Sequence, residues 1–374
     1  MQAKSYVGRL RLGENLVVTV VPKLRGAPLQ RLLRYAYGLR NLELHGEVAQ
    51  GTAEDSLVDL LVHQLVAEVD ELLARGMHRT YVEQRELLGS PRGRIDVQRY
   101  VAQGGAAAAL PCVHHLRDED CLPNQVLREG LREAARLTED LALRRRALGL
   151  VGRLQEGVSR IRLGPKVLEQ ALRGLDRRTE KYGAALRIVA LLCEEQGLAM
   201  TDGELRLPGF LFDMNRFFQE LLGRFLEENL PMAVPGASVA QEHRLTGMLV
   251  YAPGHNPRRR RAPTPRPDFA VSVAGRRVAL LDAKYRDLWE RPLPREMLYQ
   301  LAMYAMSQGL GGSAAILYPT LAEGAREAQI EIRDPLTRGV QGTVVLRPVD
   351  LHGLDVLLRE ERATGCAALA RRLA

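Results

Sequence analysis

The chain has 374 residues, 46% of them apolar, enough for about two or three domains with their own cores, which excludes a disordered chain and a small disulfide scaffold. No run approaches the roughly 18 uncharged apolar residues that cross a bilayer, and residues 1–12 hold no hydrophobic signal core, so a soluble, cytoplasmic protein without a membrane partner is expected. Lys plus Arg is 53 against 45 Asp plus Glu, a net charge of +8 that leans toward polyanionic partners without approaching a histone-like extreme.

Residues 6–12 and 16–21 read as short strands joined at Gly13-Glu14-Asn15, with a short helix over 28–37. Thr52 and Asp55 form a capping-box pattern ahead of Leu57, Val58, Leu61, Leu65, Val69 and Leu72, a helical period that Gly76 ends. Strand-like pieces follow over 80–87 and 94–100, then a Gly/Ala stretch over 104–109 that reads as a loop or spacer. Residues 1–120 therefore form one β-containing module. Asn124 is a candidate N-cap for a Leu/Arg/Ala/Glu-rich run to Gln196, giving a helical connector over 121–205. Asp213 caps an amphipathic helix with Phe217, Phe218, Leu221, Leu222 and Phe225 on its apolar side, and an α/β module spans 206–374. There is no G-x-x-x-x-G-K-[ST] phosphate loop, so any nucleotide hydrolysis must come from a partner.

Cys112, Cys121, Cys193 and Cys366 show no C-x-x-C spacing and read as reduced thiols. Only five lysines occur, at 4, 23, 166, 181 and 284, among 48 arginines. A lysine retained in such a chain is suited to what Arg cannot do, acting as a compact point charge or shifting its pKa on burial.

Lys284 stands in the most informative segment. Pro267-Asp268 opens a strand, Ala274-Gly275-Arg276 turns it, and residues 278–285 return as the second strand of a β-hairpin. Alternation puts Asp282 and Lys284 on one face, their Cα atoms about 6.6 Å apart, with Asp268 able to meet them from the neighbouring strand. Two carboxylates at a strand end form a hard oxygen site suited to Mg²⁺, and the ammonium can orient a water or neutralise charge on a reacting phosphate. The plainer alternative is an ion pair where a strand surfaces. Against it, Asp282 follows the apolar run 278–281, where a charge is costly without a partner.

The P-D, a spacing of about a dozen residues, D-A-K, and a following helix carrying Tyr299-Gln300-Leu301-Ala302-Met303-Tyr304 resemble the PD-(D/E)XK nuclease superfamily. More narrowly, the chain resembles the McrC family, the nuclease subunits of McrBC-type modification-dependent restriction systems. Tyr6-Val7-Gly8, Val21-Pro22-Lys23, Arg92-Gly93-Arg94-Ile95-Asp96, the stretch 112–124 and residues 209–215 support this by their order and spacing. The resemblance implies an α/β fold, α+β overall: a β-rich N-terminal module, a helical connector and a C-terminal restriction-endonuclease-like domain with a mixed sheet flanked by helices. It also implies that Asp268, Asp282 and the Ala283 carbonyl hold Mg²⁺, for which Mn²⁺ can substitute. Lys284 would be the catalytic lysine and Gln300 a supporting residue. The activity implied is hydrolysis of double-stranded DNA, directed to modified cytosine, together with stimulation of a McrB-like hexameric AAA+ GTPase that docks on the N-terminal module and itself binds the GTP. Such proteins often carry a Glu directly after the Phe of the helix that opens this module. Here Gln219 follows Phe218, leaving Glu220 as the candidate extra acid. A non-catalytic activator or scaffold of the GTPase, and a stand-alone repair nuclease, are the competing functions.

Arg258, Arg259, Arg260 and Arg261, followed by three prolines, could track a DNA backbone beside Asp268 or simply form a solvated loop. The Cys112, His114, His115, Asp118, Asp120 and Cys121 cluster fits no zinc spacing. Arg92 to Asp96 reads equally as a partner contact or as a Gly-centred turn held by an Arg–Asp pair, and Tyr304 reads as core.

Overall fold

The computed structural model describes residues 5–12, 16–39, 57–104, 108–194 and 209–374; the 13–15 turn and the Thr52/Asp55 capping box lie outside them. Strands β1 (Tyr6–Leu12) and β2 (Leu16–Val20) lead to helices α1 (Gly26–Tyr37) and α2 (Leu57–Arg75). Strands β3 (Thr80–Leu88) and β4 (Arg94–Ile95), the short helix α3 (Val97–Ala102) and strand β5 (Leu110–Asp118) follow. Next come α4 (Leu122–Leu137), α5 (Leu141–Gln155), α6 (Pro165–Arg173) and α7 (Gly183–Glu194). Then β6 (Gly209–Asp213), α8 (Met214–Ala233), β7 (Ala237–Gln241), β8 (Phe269–Val273), β9 (Arg276–Ala283) and α9 (Arg295–Met306). Strands β10 (Gly312–Thr320), β11 (Ala328–Arg333) and β12 (Val340–Asp350) and helices α10 (Leu351–Arg359) and α11 (Ala363–Leu373) close the chain.

The chain divides into two compact units rather than three modules: Leu211/Phe212 separates them, and residue 120 lies inside the second unit. One gathers the residues through Val7, Val20 to the end of α1, and Phe212–Ala374; the other gathers Gly8–Thr19 and the described residues from α2 to Leu211. The physical reason lies in long-range packing. Helix α1 is held to α10 by a fork in which Arg31 Nε and Nη2 meet the two oxygens of Asp355 at 2.7 and 2.6 Å. Asp355 is 4% exposed, so removing its partner strands a buried charge. Arg31→Ala is expected to cost about 2–3 kcal/mol in thermal or urea unfolding, allowing for the arginine's partial exposure; a loss under about 0.5 kcal/mol would make this an ordinary surface pair.

In the second unit α2, α4, α5 and α7 pack together, and a three-stranded sheet has the order β3–β5–β4. The strand expected over 94–100 is a two-residue strand followed by α3, because the Asp96 side chain accepts from the Arg99 amide and starts a helix. Asn124 is not the cap of α4, which begins after Cys121. It is fully buried, donating to the carbonyls of His78 and Glu119 and accepting from the Tyr182 hydroxyl, and so ties three segments together. Asp120 takes Gln125 and Ser159, so the Cys/His/Asp stretch is a strand and a bonded turn. No group of three or more metal-capable His, Cys, Asp or Glu exists among the described residues. Gly8, with φ +136°, packs so closely that a Cβ would lie 2.2 Å from the Phe210 carbonyl oxygen, which explains a glycine there.

The first unit is built on a six-stranded mixed sheet of order β11–β12–β10–β9–β8–β7. Strands β7, β8 and β9 form an antiparallel meander, and β9, β10 and β12 run parallel. One face, with Ala270, Leu280, Ala314, Ile316 and Val344, packs on Leu301, Tyr304 and Ala305 of α9. Helix α8 contributes Phe217, Phe218, Leu221, Leu222, Phe225 and Leu226, all fully buried, and the expected Asp213 cap forms, accepting from the Asn215 amide at 2.8 Å. No described helix is long and apolar enough to cross a membrane.

Candidate active site

The expected hairpin is β8 and β9, with Ala274 at φ 50° and Gly275 at φ 78° forming the two-residue turn. Two successive positive φ values match the right-handed twist of the flanking strands. Phe269 pairs with Leu281, which leaves Asp268 just beyond the ladder, abreast of Asp282. Across the parallel pair Asp282 is registered with Ile316, so Asp282 lies on the α9 face, at the carboxyl end of β9. Carboxyl ends of parallel strands are where such sheets leave an open, polar rim.

Three sequence-derived residues converge there. Lys284 Nζ lies 2.9 Å from Asp282 Oδ2 and 3.5 Å from Asp268 Oδ2, and Asp268 Oδ2 also accepts from the Ala283 amide at 2.8 Å. The Lys284 amide donates to Leu317 O at 3.0 Å, which anchors the strand end to β10. Asp282 is 2% exposed, and its Oδ1 is buried without a hydrogen-bond partner. Burial, then the neighbouring Asp268 charge, push the Asp282 carboxyl up to about 6 despite Lys284. For Lys284, burial pulls the pKa down, but the two carboxylates outweigh it and hold the ammonium above its ordinary value. An orphaned, buried carboxylate oxygen beside a second carboxylate is what a hard cation would satisfy, so Asp268, Asp282 and the intervening Ala283 carbonyl fit Mg²⁺.

Gln300 is half-buried on α9 and donates to the Tyr304 hydroxyl at 2.7 Å. Tyr304 is core, as its apolar neighbours suggested, yet its hydroxyl also feels Asp282, Asp268 and Lys284. No local pattern signals that polar role. None signals that of Asn215 either, whose Oδ1 accepts from the Tyr285 amide at 2.7 Å and fixes the chain just past Lys284. Tyr285 packs edge-on against Phe218, so α8 meets the strand end through its Asn215–Phe218 side. Gln219 follows Asn215 by four residues and shares that side, whereas Glu220, half-buried, lies about 140° round the helix from Asn215. Arg258–Arg261 are exposed on the loop before β8, with no ion pair among the described residues. The structure does not join them to the triad.

Fold and site define a mixed-sheet protein with two carboxylates and a lysine at the end of a hairpin strand. A family model described as McrBC 5-methylcytosine restriction system component matches residues 1–319, and the chain belongs to that family. Among solved structures it is similar to a chain in a half-complex from a tetradecameric assembly of Thermococcus gammatolerans McrB AAA+ hexamers with bound McrC, at 21% identity and TM-score 0.60, over 96% of this chain and 82% of that one. A chain of the Thermococcus gammatolerans McrBC complex matches at 22% identity and TM-score 0.46, over 60% of this chain and 67% of that one. No curated protein matches.

Proposed function

We propose that this chain is the McrC-like, Mg²⁺-dependent DNA endonuclease subunit of a GTP-dependent, modified-cytosine-directed restriction complex, with a McrB-like AAA+ hexamer as partner. The observation that carries the reading is the convergence of Asp268, Asp282 and Lys284, with the second oxygen of Asp282, Oδ1, buried and without a hydrogen-bond partner. Asp268, Asp282 and the Ala283 carbonyl would hold the cation. The chemistry it supplies when bound is positive charge on the phosphoryl oxygens and a more acidic water. Lys284, charged at neutral pH, contributes electrostatically: its ammonium orients the attacking water and offsets charge that grows on the phosphate. Gln300, whose amide donates to the Tyr304 hydroxyl, would be the supporting residue on α9. The exposed Arg258–Arg261 run offers phosphate contacts, and their yield in affinity falls as salt rises.

The GTPase, not this chain, would bind GTP and read the modified base. One observation favours the activator reading as an alternative. Gln219, rather than an acid, shares the side of α8 that meets the strand end, so the site has few protein ligands.

The test is cleavage of a cytosine-methylated plasmid in Mg²⁺ by the chain alone and with its AAA+ GTPase plus GTP, comparing wild type with Asp282→Ala. Cleavage that needs the partner and disappears in the variant is expected. If neither protein cuts while both raise GTP turnover, the activator reading replaces this one; equal cutting by both would move the active site elsewhere.

A further inference from the structure

Between β9 and α9 the chain turns directly after Lys284. The Arg286 amide donates to the Lys284 carbonyl at 2.7 Å, a bond that spans one residue and closes a tight turn around Tyr285. That turn is held on both sides. Asn215 Oδ1 takes the Tyr285 amide, and the Tyr285 ring packs on Phe218. Asp287, 7% exposed, accepts from the amides of Trp289 and Glu290 and pairs with Lys23 Nζ at 3.4 Å. The Lys284 ammonium is taken by the two carboxylates.

Arg286 is the exception in this segment. Its side chain is half-buried, and its Nε is buried with no hydrogen-bond partner. Among the described residues no acid pairs with it. Other arginines that are largely covered are engaged: Arg31 with Asp355, Arg132 with Glu129 and Arg347 with Glu327. A covered donor without an acceptor is costly, so a guanidinium in this state is suited to an anion that arrives from outside. Its planar fork fits a carboxylate or a phosphate.

Position selects the phosphate. Two residues of chain span at most about 7 Å, so the Arg286 Cα stays within that distance of the Lys284 Cα. Phosphates recur at about 3.4 Å of rise along a strand. DNA that brings one phosphate to the Asp268–Asp282 pair therefore brings its neighbours past residue 286. We propose that Arg286 binds a DNA backbone phosphate next to the scissile one, through Nε and a terminal nitrogen, and that the turn fixed by Asn215 and Asp287 presents it ready-made. The proposal rests on the nuclease reading above and adds the residue that seats the strand.

The test follows cleavage of a cytosine-methylated duplex by the full chain with its AAA+ GTPase and GTP, at sub-saturating DNA over a range of salt. Wild type is compared with Arg286→Met and Arg286→Lys, with GTP turnover measured in the same samples and melting temperatures taken in chelator without DNA. Cleavage efficiency is expected to fall about 10-fold or more in Arg286→Met, the scale of a hydrogen bond to a charged group. Its logarithmic salt dependence should become shallower by about one, since one phosphate contact is lost. Arg286→Lys, which keeps the charge and lacks the Nε donor, should keep the salt slope and recover part of the efficiency. Melting temperature should be unchanged or slightly higher in Arg286→Met, because no partner is lost and a buried donor without one is removed.

Wild-type efficiency and salt slope in Arg286→Met overturn the proposal. A melting temperature lowered by more than about 5 °C overturns it too, by showing that the guanidinium holds the fold. So does loss of GTPase stimulation together with cleavage, which makes the arginine a contact for a carboxylate of the partner. In each of these cases the nuclease reading stands. A wild-type chain that does not cut brings down that reading and this proposal with it.

Discussion

Asp282→Asn is expected to abolish cleavage while making the metal-free protein more stable at neutral pH. The side chain is 2% exposed, faces Asp268, and is pushed up to about 6 by burial and then by that second carboxylate. In the unfolded chain it ionises near 3.8. Between these values the folded state holds more protons than the unfolded state, so stability falls as pH rises through the window, and above it the whole penalty is present. That penalty is on the order of 2–3 kcal/mol. Asn keeps the shape and removes the charge, leaving Lys284 paired with Asp268. The melting temperature at pH 7.5 in chelator should rise by about 5 °C for a unit of this size. Mg²⁺ should raise the wild-type melting temperature and leave the variant unmoved, since ligand stabilisation requires binding to the native state. A variant that melts lower than wild type without metal would show that ion pairing with Lys284, not desolvation, governs the site.

The triad was legible because a strand has a period of two and a hairpin turn has a small vocabulary. Asp282 and Lys284 are fixed to one face by spacing alone, and Ala274-Gly275 sets the register that brings Asp268 abreast of them. Other features were hidden for reasons that are equally physical. Residues 97–101, Val-Gln-Arg-Tyr-Val, have strand-like composition, and only the Asp96 cap makes them a helix. Residues 110–118 carry two adjacent histidines that obscure alternation, so the strand β5 is not legible there. The union of α1 with the C-terminal residues depends on Arg31 finding Asp355, a pairing 324 residues apart that no local pattern encodes. Nor could the sequence show that Tyr304, a core residue by periodicity, turns its hydroxyl to Gln300. The departure at Gln219 and Glu220 was visible as letters; which of them shares a side with Asn215 followed from where α8 meets Tyr285.

Lys284→Arg tests why a chain with 48 arginines keeps a lysine at this position. The ammonium lies 2.9 Å from one carboxylate and 3.5 Å from the other, a point charge that leaves Asp282 Oδ1 uncommitted. A guanidinium is planar and presents parallel donors, so it would bridge Asp268 and Asp282 and occupy the oxygens that a cation needs. The substituted protein should therefore fold with stability within about 1 kcal/mol of wild type, while Mg²⁺ no longer raises its melting temperature. Cleavage should fall about 1,000-fold, the scale on which a preorganised transition-state charge acts. Because the wild-type ammonium is held above its ordinary pKa by the two carboxylates, it does not serve as a base near neutrality, and Lys284→Ala should lose rate without shifting the pH profile. Arginine retaining more than about a tenth of wild-type cleavage would show that any fixed positive charge suffices, and that the lysine is kept for its size rather than for the lone carboxylate oxygen it leaves open.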